Sequence, residues 1–214
     1  MTNYLYLHGF ASSPTSQKAL YLSQGFESEF NITLQIPNLC PGDFRDFTIS
    51  GAIDIVGSFL ENSQQSWVLI GSSLGGLIAT YVAQEYKQVQ RLILLAPAFD
   101  FVAIWSAFLG EKVLKKWEQE GYYPVYHHGY QKEVMLGYQF IVDAREKMSS
   151  PFERVLPTLI IHGLEDETIP IQVSQRYAKK RSWVKLIELN SDHSLSNVLP
   201  QIWQLIKSEI SDLG

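Results

Sequence analysis

The sequence predicts an α/β fold: a mostly parallel sheet of about six strands, flanked by helices, in one domain covering residues 1–214. Three observations carry that expectation. Short apolar runs alternate with helix-like segments, the βα rhythm of a parallel sheet covered on both faces. Two of the runs, Ile93-Leu94-Leu95 and Leu159-Ile160-Ile161, are apolar at consecutive positions, as in strands buried on both sides. The composition, 46% hydrophobic and 18% charged over 214 residues, suits one substantial core.

Each element follows from local pattern. Strands are expected at 4–7, 32–36, 67–70, 92–95, 158–161 and 185–189, with helices around 16–29, 47–62, 74–86, 173–180 and 197–211. The 185–189 strand alternates polar and apolar residues, which fits a place near the sheet edge. Pro170 stands near the start of its helix, where a missing N–H costs little. The last helix carries Val198, Ile202, Leu205 and Ile206 on one side. Between the fourth and fifth of these strands, residues 99–155 break the rhythm, being far longer than an ordinary connection. There Phe101, Ile104, Trp105, Phe108 and Leu109 recur at helical spacing, a Tyr-rich piece covers 121–130, and a second helical stretch runs to Lys147. The expectation is a small cap inserted before the fifth strand.

Charge and composition exclude several classes. A net charge of −5 gives no electrostatic case for nucleic acid, and Lys179, Lys180 and Arg181 read as the solvated end of a helix. Cys40 is the single cysteine, so no internal disulfide forms, which fits a reducing compartment. No segment has the ~20 uninterrupted apolar residues of a membrane span. Residues 1–7 show no basic start and no small-residue cleavage site. A cytoplasmic protein is expected.

The sharpest motif is Gly71-Ser72-Ser73-Leu74-Gly75-Gly76, directly after the apolar Val68-Leu69-Ile70. It is a G-x-S-x-G pattern between an expected strand and an expected helix, the context in which such a serine acts as a nucleophile. The glycines leave space for a tight turn that exposes the Ser73 hydroxyl at the carboxyl end of the sheet. A plain Gly/Ser turn is the alternative, and Ser72 is the competing hydroxyl, at the wrong place in the motif. A hydroxyl nucleophile needs a base. His193, in Ser191-Asp192-His193-Ser194 after the last strand, has the position for it, whereas His8 and His162 end strands in His-Gly pairs and read as shaping their turns. His127 and His128 fall in the inserted segment, and no third ligand at metal-like spacing accompanies any histidine, so no zinc site is expected.

The base needs an orienting carboxylate. Asp166, at the turn after the fifth strand, fits best; Asp100 is the runner-up, and Asp192 is too close in sequence to His193 to reach its ring. The two oxyanion-hole donors are expected to be the backbone N–H groups of Leu74 and Phe10, each such donor being worth ~3 kcal/mol in the transition state. Phe101, Trp105, Phe108 and Tyr126 are candidate walls of an apolar substrate pocket; Trp117 and Tyr122 share that composition.

Tyr6-Leu7-His8-Gly9-Phe10, then Ser12-Ser13-Pro14 and Lys18-Ala19, resembles the opening of the small YqiA-like esterases of the α/β-hydrolase superfamily. The 71–76 segment is similar to their nucleophile turn, and His162-Gly163 with Asp166 to the superfamily's acid turn. The resemblance covers about 4–97 and 157–193. It implies the α/β-hydrolase fold, trimmed so that its first strand corresponds to the third of the full sheet. It further implies hydrolysis of a small-molecule ester or thioester without cofactor. The 99–155 segment departs from the compact members, and its 138–144 piece looks more like capped acyl-ester and acyl-protein hydrolases. Acyl-CoA or acyl-protein thioester cleavage, and a non-catalytic binding module of the same fold, are the alternatives.

Overall fold

The structure, a computed structural model, describes residues 2–61, 64–148 and 151–211. Five parallel strands form the main sheet in the order β1 (Thr2–Leu7), β2 (Ser66–Ser72), β3 (Val89–Leu95), β6 (Thr158–Gly163) and β7 (Val184–Leu189). Between them run α1 (Gln17–Phe30), α2 (Ile49–Leu60), α3 (Leu74–Glu85), α6 (Gln172–Lys179) and the terminal α7 (Leu199–Ser211). Residue 62, the expected last residue of the second helix, lies outside the described residues.

Strand alternation explains why helices cover both faces. Tyr4, Tyr6, Val68, Ile70, Ile93, Leu95, Leu159 and Ile161 face one core with α1 and α7, in which Leu22, Phe26, Ile202 and Ile206 are buried. Leu5, Leu7, Leu69, Leu92, Leu94 and Ile160 face the other, with Ile53, Val56, Leu77 and Ile78 of α2 and α3. β7 is at the edge, and its half-exposed alternation matches that place.

The sheet has five strands rather than about six. The 32–36 segment makes one bridge to the outer edge of β1, where Gln35 donates to the Tyr4 carbonyl and accepts from the Tyr6 N–H. Pro37 lies two residues on and supplies no N–H, so the ladder cannot lengthen in that direction. That bridge lies on one side of β1 and β2 on the other. The loop after β1 therefore starts where the strand order reverses, the place where open α/β sheets bind ligands.

The segment between β3 and β6 holds α4 (Phe101–Glu120), an antiparallel hairpin of β4 (Tyr122–His127) and β5 (Lys132–Gly137), and α5 (Gln139–Lys147). The Tyr-rich piece is thus mostly strand. α4 is broken at Gly110, whose φ of 77° and ψ of 159° are not helical. Trp117, 1% exposed, returns the second half to the body and donates to the Leu136 carbonyl. No helix of the described residues is long and apolar enough to cross a membrane.

Candidate active site

Ser73 lies at the β2–α3 turn with φ 54° and ψ −119°, a conformation an L-residue holds only when its surroundings impose it. They do so here by close approach. A Cβ at Gly75 would sit 2.2 Å from the Leu7 carbonyl oxygen, and one at Gly71 would sit 2.4 Å from that of Gly75. The Ser73 N–H donates to Leu95, and its carbonyl accepts from Gly76 and Ala98. The strained turn is thereby pinned between β1, β3 and its own helix.

The Ser73 hydroxyl is 3.0 Å from His193 Nε2, and His193 Nδ1 is 2.7 Å from Asp166 Oδ2. Three separate loops at the carboxyl ends of β2, β6 and β7 contribute these groups. The Asp166 side chain is fully buried, and both its oxygens are committed. Oδ1 accepts from the Thr168 and Ile169 N–H groups; Oδ2 accepts from His193 and lies 3.1 Å from His162 Nε2. Burial pushes its carboxyl up, but the hydrogen bonds from His162, His193 and the Ile169 backbone outweigh that and hold it well below the usual carboxylate range.

Sequence reasoning read His162 and His8 as turn-shaping residues and missed what each touches. His162 is fully buried. Its Nε2 faces only acceptors, the Ile169 carbonyl at 2.9 Å and Asp166, so it carries the proton; Nδ1 accepts from Ser174 at 2.7 Å. His162 thus grips the carboxylate oxygen that also faces His193. His8 Nε2 accepts from the Leu39 N–H at 3.3 Å, which leaves Nδ1–H to donate to the Gly9 carbonyl at 3.0 Å. The trans peptide between Gly9 and Phe10 then directs the Phe10 N–H away from His8. Among the described residues that N–H has no acceptor. The Leu74 N–H belongs to the first turn of α3 and has no partner within the helix. The only advance signal of either histidine was the pair of His-Gly steps ending β1 and β6.

A cleft of about 850 Å³ opens over Ser73 and His193. Phe10, Phe101, Trp105 and Ile169 give it an apolar wall; Ser12, Ser16, Gln17, Lys18 and His128 also line it, as do Glu165, Glu167 and Asp192. Phe10 anchors the wall, packing against Phe44, Phe47, Phe101, Trp105 and Phe140. Two expected pocket residues are not in the lining. Phe108 is 81% exposed, on the last turn before the break at Gly110. Tyr126 is 53% exposed because it alternates on β4 with buried Val125 and His127. The runner-up acid, Asp100, pairs with Arg176 at 2.5 Å on the surface and does not meet His193. Asp192 uses Oδ1 to accept from the N–H and hydroxyl of Ser194, closing its own loop. No group of three or more candidate metal ligands forms among the described residues.

The model of the Uncharacterised protein family (UPF0227) matches residues 3–209. The chain belongs to this family. Its UPF0227 core has the α/β-hydrolase fold, as two solved structures show. Alpha/beta hydrolase domain-containing protein 10 from mouse superposes with a TM-score of 0.83 at 22% identity, covering 99% of this chain and 90% of that one. A protein from Agrobacterium vitis S4 superposes with a TM-score of 0.84 at 24% identity, covering 97% and 87%. In sequence, the UPF0227 chain is 28% identical over 151 residues to the palmitoyl-protein thioesterase ABHD10, mitochondrial, of Rattus norvegicus. That match takes in 66% of this chain and 50% of the rat protein, so the chain spans about half the length of this relative.

Proposed function

We propose that this protein is a serine hydrolase that cleaves carboxylic esters through an acyl-enzyme, with Ser73 as nucleophile, His193 as base and Asp166 as orienting acid. The observation that carries the reading is the unbroken hydrogen-bonded line from Ser73 Oγ through both nitrogens of His193 to Asp166. In the proposed mechanism His193 Nε2 takes the Ser73 proton as Oγ attacks the carbonyl carbon. Asp166, held ionised, accepts from Nδ1–H and stabilises the imidazolium that forms. The tetrahedral oxyanion is received by the N–H groups of Leu74 and Phe10. His193 then protonates the leaving group, and the acyl-enzyme is cleaved by water activated in the same way.

We read residues 99–155 as a cap over this site and the apolar wall as the seat of the acyl group. Thioester cleavage is the second reading, favoured by the printed name of the rat relative, a palmitoyl-protein thioesterase. That name also places the relative in mitochondria, whereas the lone Cys40 suits any reducing compartment, including the expected cytoplasm. Steady-state kinetics on an octanoyl ester and the matching thioester test both. Turnover of either, lost by several orders of magnitude in Ser73→Ala, is the expected result. Undiminished turnover in that variant would overturn the reading.

A further inference from the structure

The acyl wall accounts for one part of the cleft and leaves a polar part without a use. Lys18, the second residue of α1, lines the cleft that holds Ser73 and His193. Its ammonium donates to the Ser194 carbonyl at 2.6 Å, one residue beyond His193. An ammonium has three donor hydrogens, and this is its single hydrogen bond among the described residues. No carboxylate there lies within ion-pair distance of it. Acidic fields reach it from Asp192 and Asp166. Both oxygens of Asp166 are taken by His193, His162 and backbone N–H groups, and Asp192 caps its own loop through Oδ1. Burial pushes the Lys18 amine down despite those fields, so the charge is partly stripped of water. A half-buried lysine normally carries its head out to solvent or to a partner. This one keeps its head in the cleft with spare donors.

We propose that Lys18 binds an anionic group on the leaving alcohol or thiol of the substrate, making the protein selective for acyl esters or thioesters whose leaving group carries a carboxylate or phosphate. The inference rests on the hydrolase reading above. Two observations set the anion on the leaving side. His193 must deliver a proton to the departing atom, and Lys18 is tethered to the residue next to His193. The apolar wall of Phe10, Phe101 and Trp105 is the place for a hydrocarbon acyl chain, not for a charge. Ser12, Ser16, Gln17 and His128 add donors to the polar lining, while Glu165 and Glu167, on the loop after β6, repel an anion from their side. One short anionic group held by a charge-assisted hydrogen bond matches this lining.

The test uses three octanoyl esters of similar shape, made with para-hydroxybenzamide, para-hydroxybenzoate and para-hydroxyphenyl phosphate. They are hydrolysed by the native protein, Lys18→Met and Lys18→Arg. Comparing variants on the same ester cancels differences in leaving-group reactivity. We expect the loss in kcat/KM on Lys18→Met to be roughly 10- to 100-fold larger for an anionic ester than for the neutral amide ester. The loss should fall mainly on KM, shrink in the native protein as salt is added, and be partly restored in Lys18→Arg. Whichever anionic ester shows it identifies carboxylate or phosphate as the group. Equal losses on the neutral and anionic esters would overturn the inference, leaving Lys18 as a strap for the Ser194 carbonyl. Unchanged rates on all three would overturn it as well. If the native protein cleaves none of the esters, the hydrolase reading fails and this inference falls with it; cleavage of the neutral ester that depends on Ser73 keeps that reading intact whatever Lys18 does.

Discussion

At the scale of single residues, hydrogen bonds hold the Asp166 carboxylate and the His8, His162 and His193 rings in fixed positions around Ser73. Asp166→Asn should reduce kcat by several orders of magnitude, because an amide can present its NH₂ to His193 Nδ1 and favour the wrong tautomer. Asp100→Asn should leave kcat unchanged, since that carboxylate pairs with Arg176 at the surface. Steady-state kinetics on the two variants decide between the acids, and a larger loss in Asp100→Asn would reverse the assignment. His8→Phe removes the group that fixes the Gly9 carbonyl, and with it the direction of the Phe10 N–H. The expected outcome is a kcat lower by about tenfold with KM little changed, short of the loss from deleting an oxyanion donor outright. A rise in KM alone would contradict that role. The turn that holds Ser73 was legible in the sequence because a strand, closely packed glycines and a helix lay in order around it. The work of His8 and His162 was not, because a strand-end histidine looks the same whether its ring meets solvent or a buried carboxylate.

At the scale of elements, α3 starts directly after Ser73 and needs a fixed axis. Arg154 holds the other end. Its guanidinium donates to the Ala83 and Tyr86 carbonyls, in the last turn and cap of α3, at 2.5 and 2.8 Å, and to the Val89 carbonyl at the start of β3 at 2.6 Å. Arg154→Ala should cost about 2 kcal/mol of stability in urea unfolding, with a much smaller effect on KM. An unchanged midpoint would show that water replaces the guanidinium without loss. Sequence pattern found the helices of the sheet layers because their apolar stripes are one-sided. It missed the β4–β5 hairpin, where Tyr122, Tyr126 and Met135 put large apolar groups on the exposed face and blur the alternation. It also overextended the 32–36 strand, whose apolar alternation is real but whose pairing ends at Pro37.

At the scale of the whole molecule, the buried acid couples the site to stability. The Asp166 carboxyl has a folded-state pKa below its unfolded value of about 3.9, so its contribution is fully present above that pH and is lost as pH falls toward the depressed value. Urea midpoints should therefore decline from about pH 4 downward, and less steeply in Asp166→Asn. An identical acid limb in the two proteins would contradict the coupling. The fold class was readable because both faces of the sheet are covered, which forces consecutive apolar residues in β3 and β6. The cleft was only partly readable. Phe101 and Trp105 follow from helical spacing, whereas the exposure of Phe108 depends on a break at Gly110 that a stripe of apolar residues does not reveal. If the wall of Phe10, Phe101 and Trp105 receives the acyl chain, kcat/KM should rise from acetyl to octanoyl esters, and a flat or falling series would count against it.

The proposed mechanism needs Ser73 to be an activated nucleophile. Intact-mass spectrometry after exposure to a fluorophosphonate, on native protein and on Ser73→Ala, tests it most directly. One covalent phosphonyl adduct on the native chain and none on the variant is the expected result. No adduct on well-folded native protein, or an adduct that persists in Ser73→Ala, would contradict it and bring a binding role for the same fold to the front.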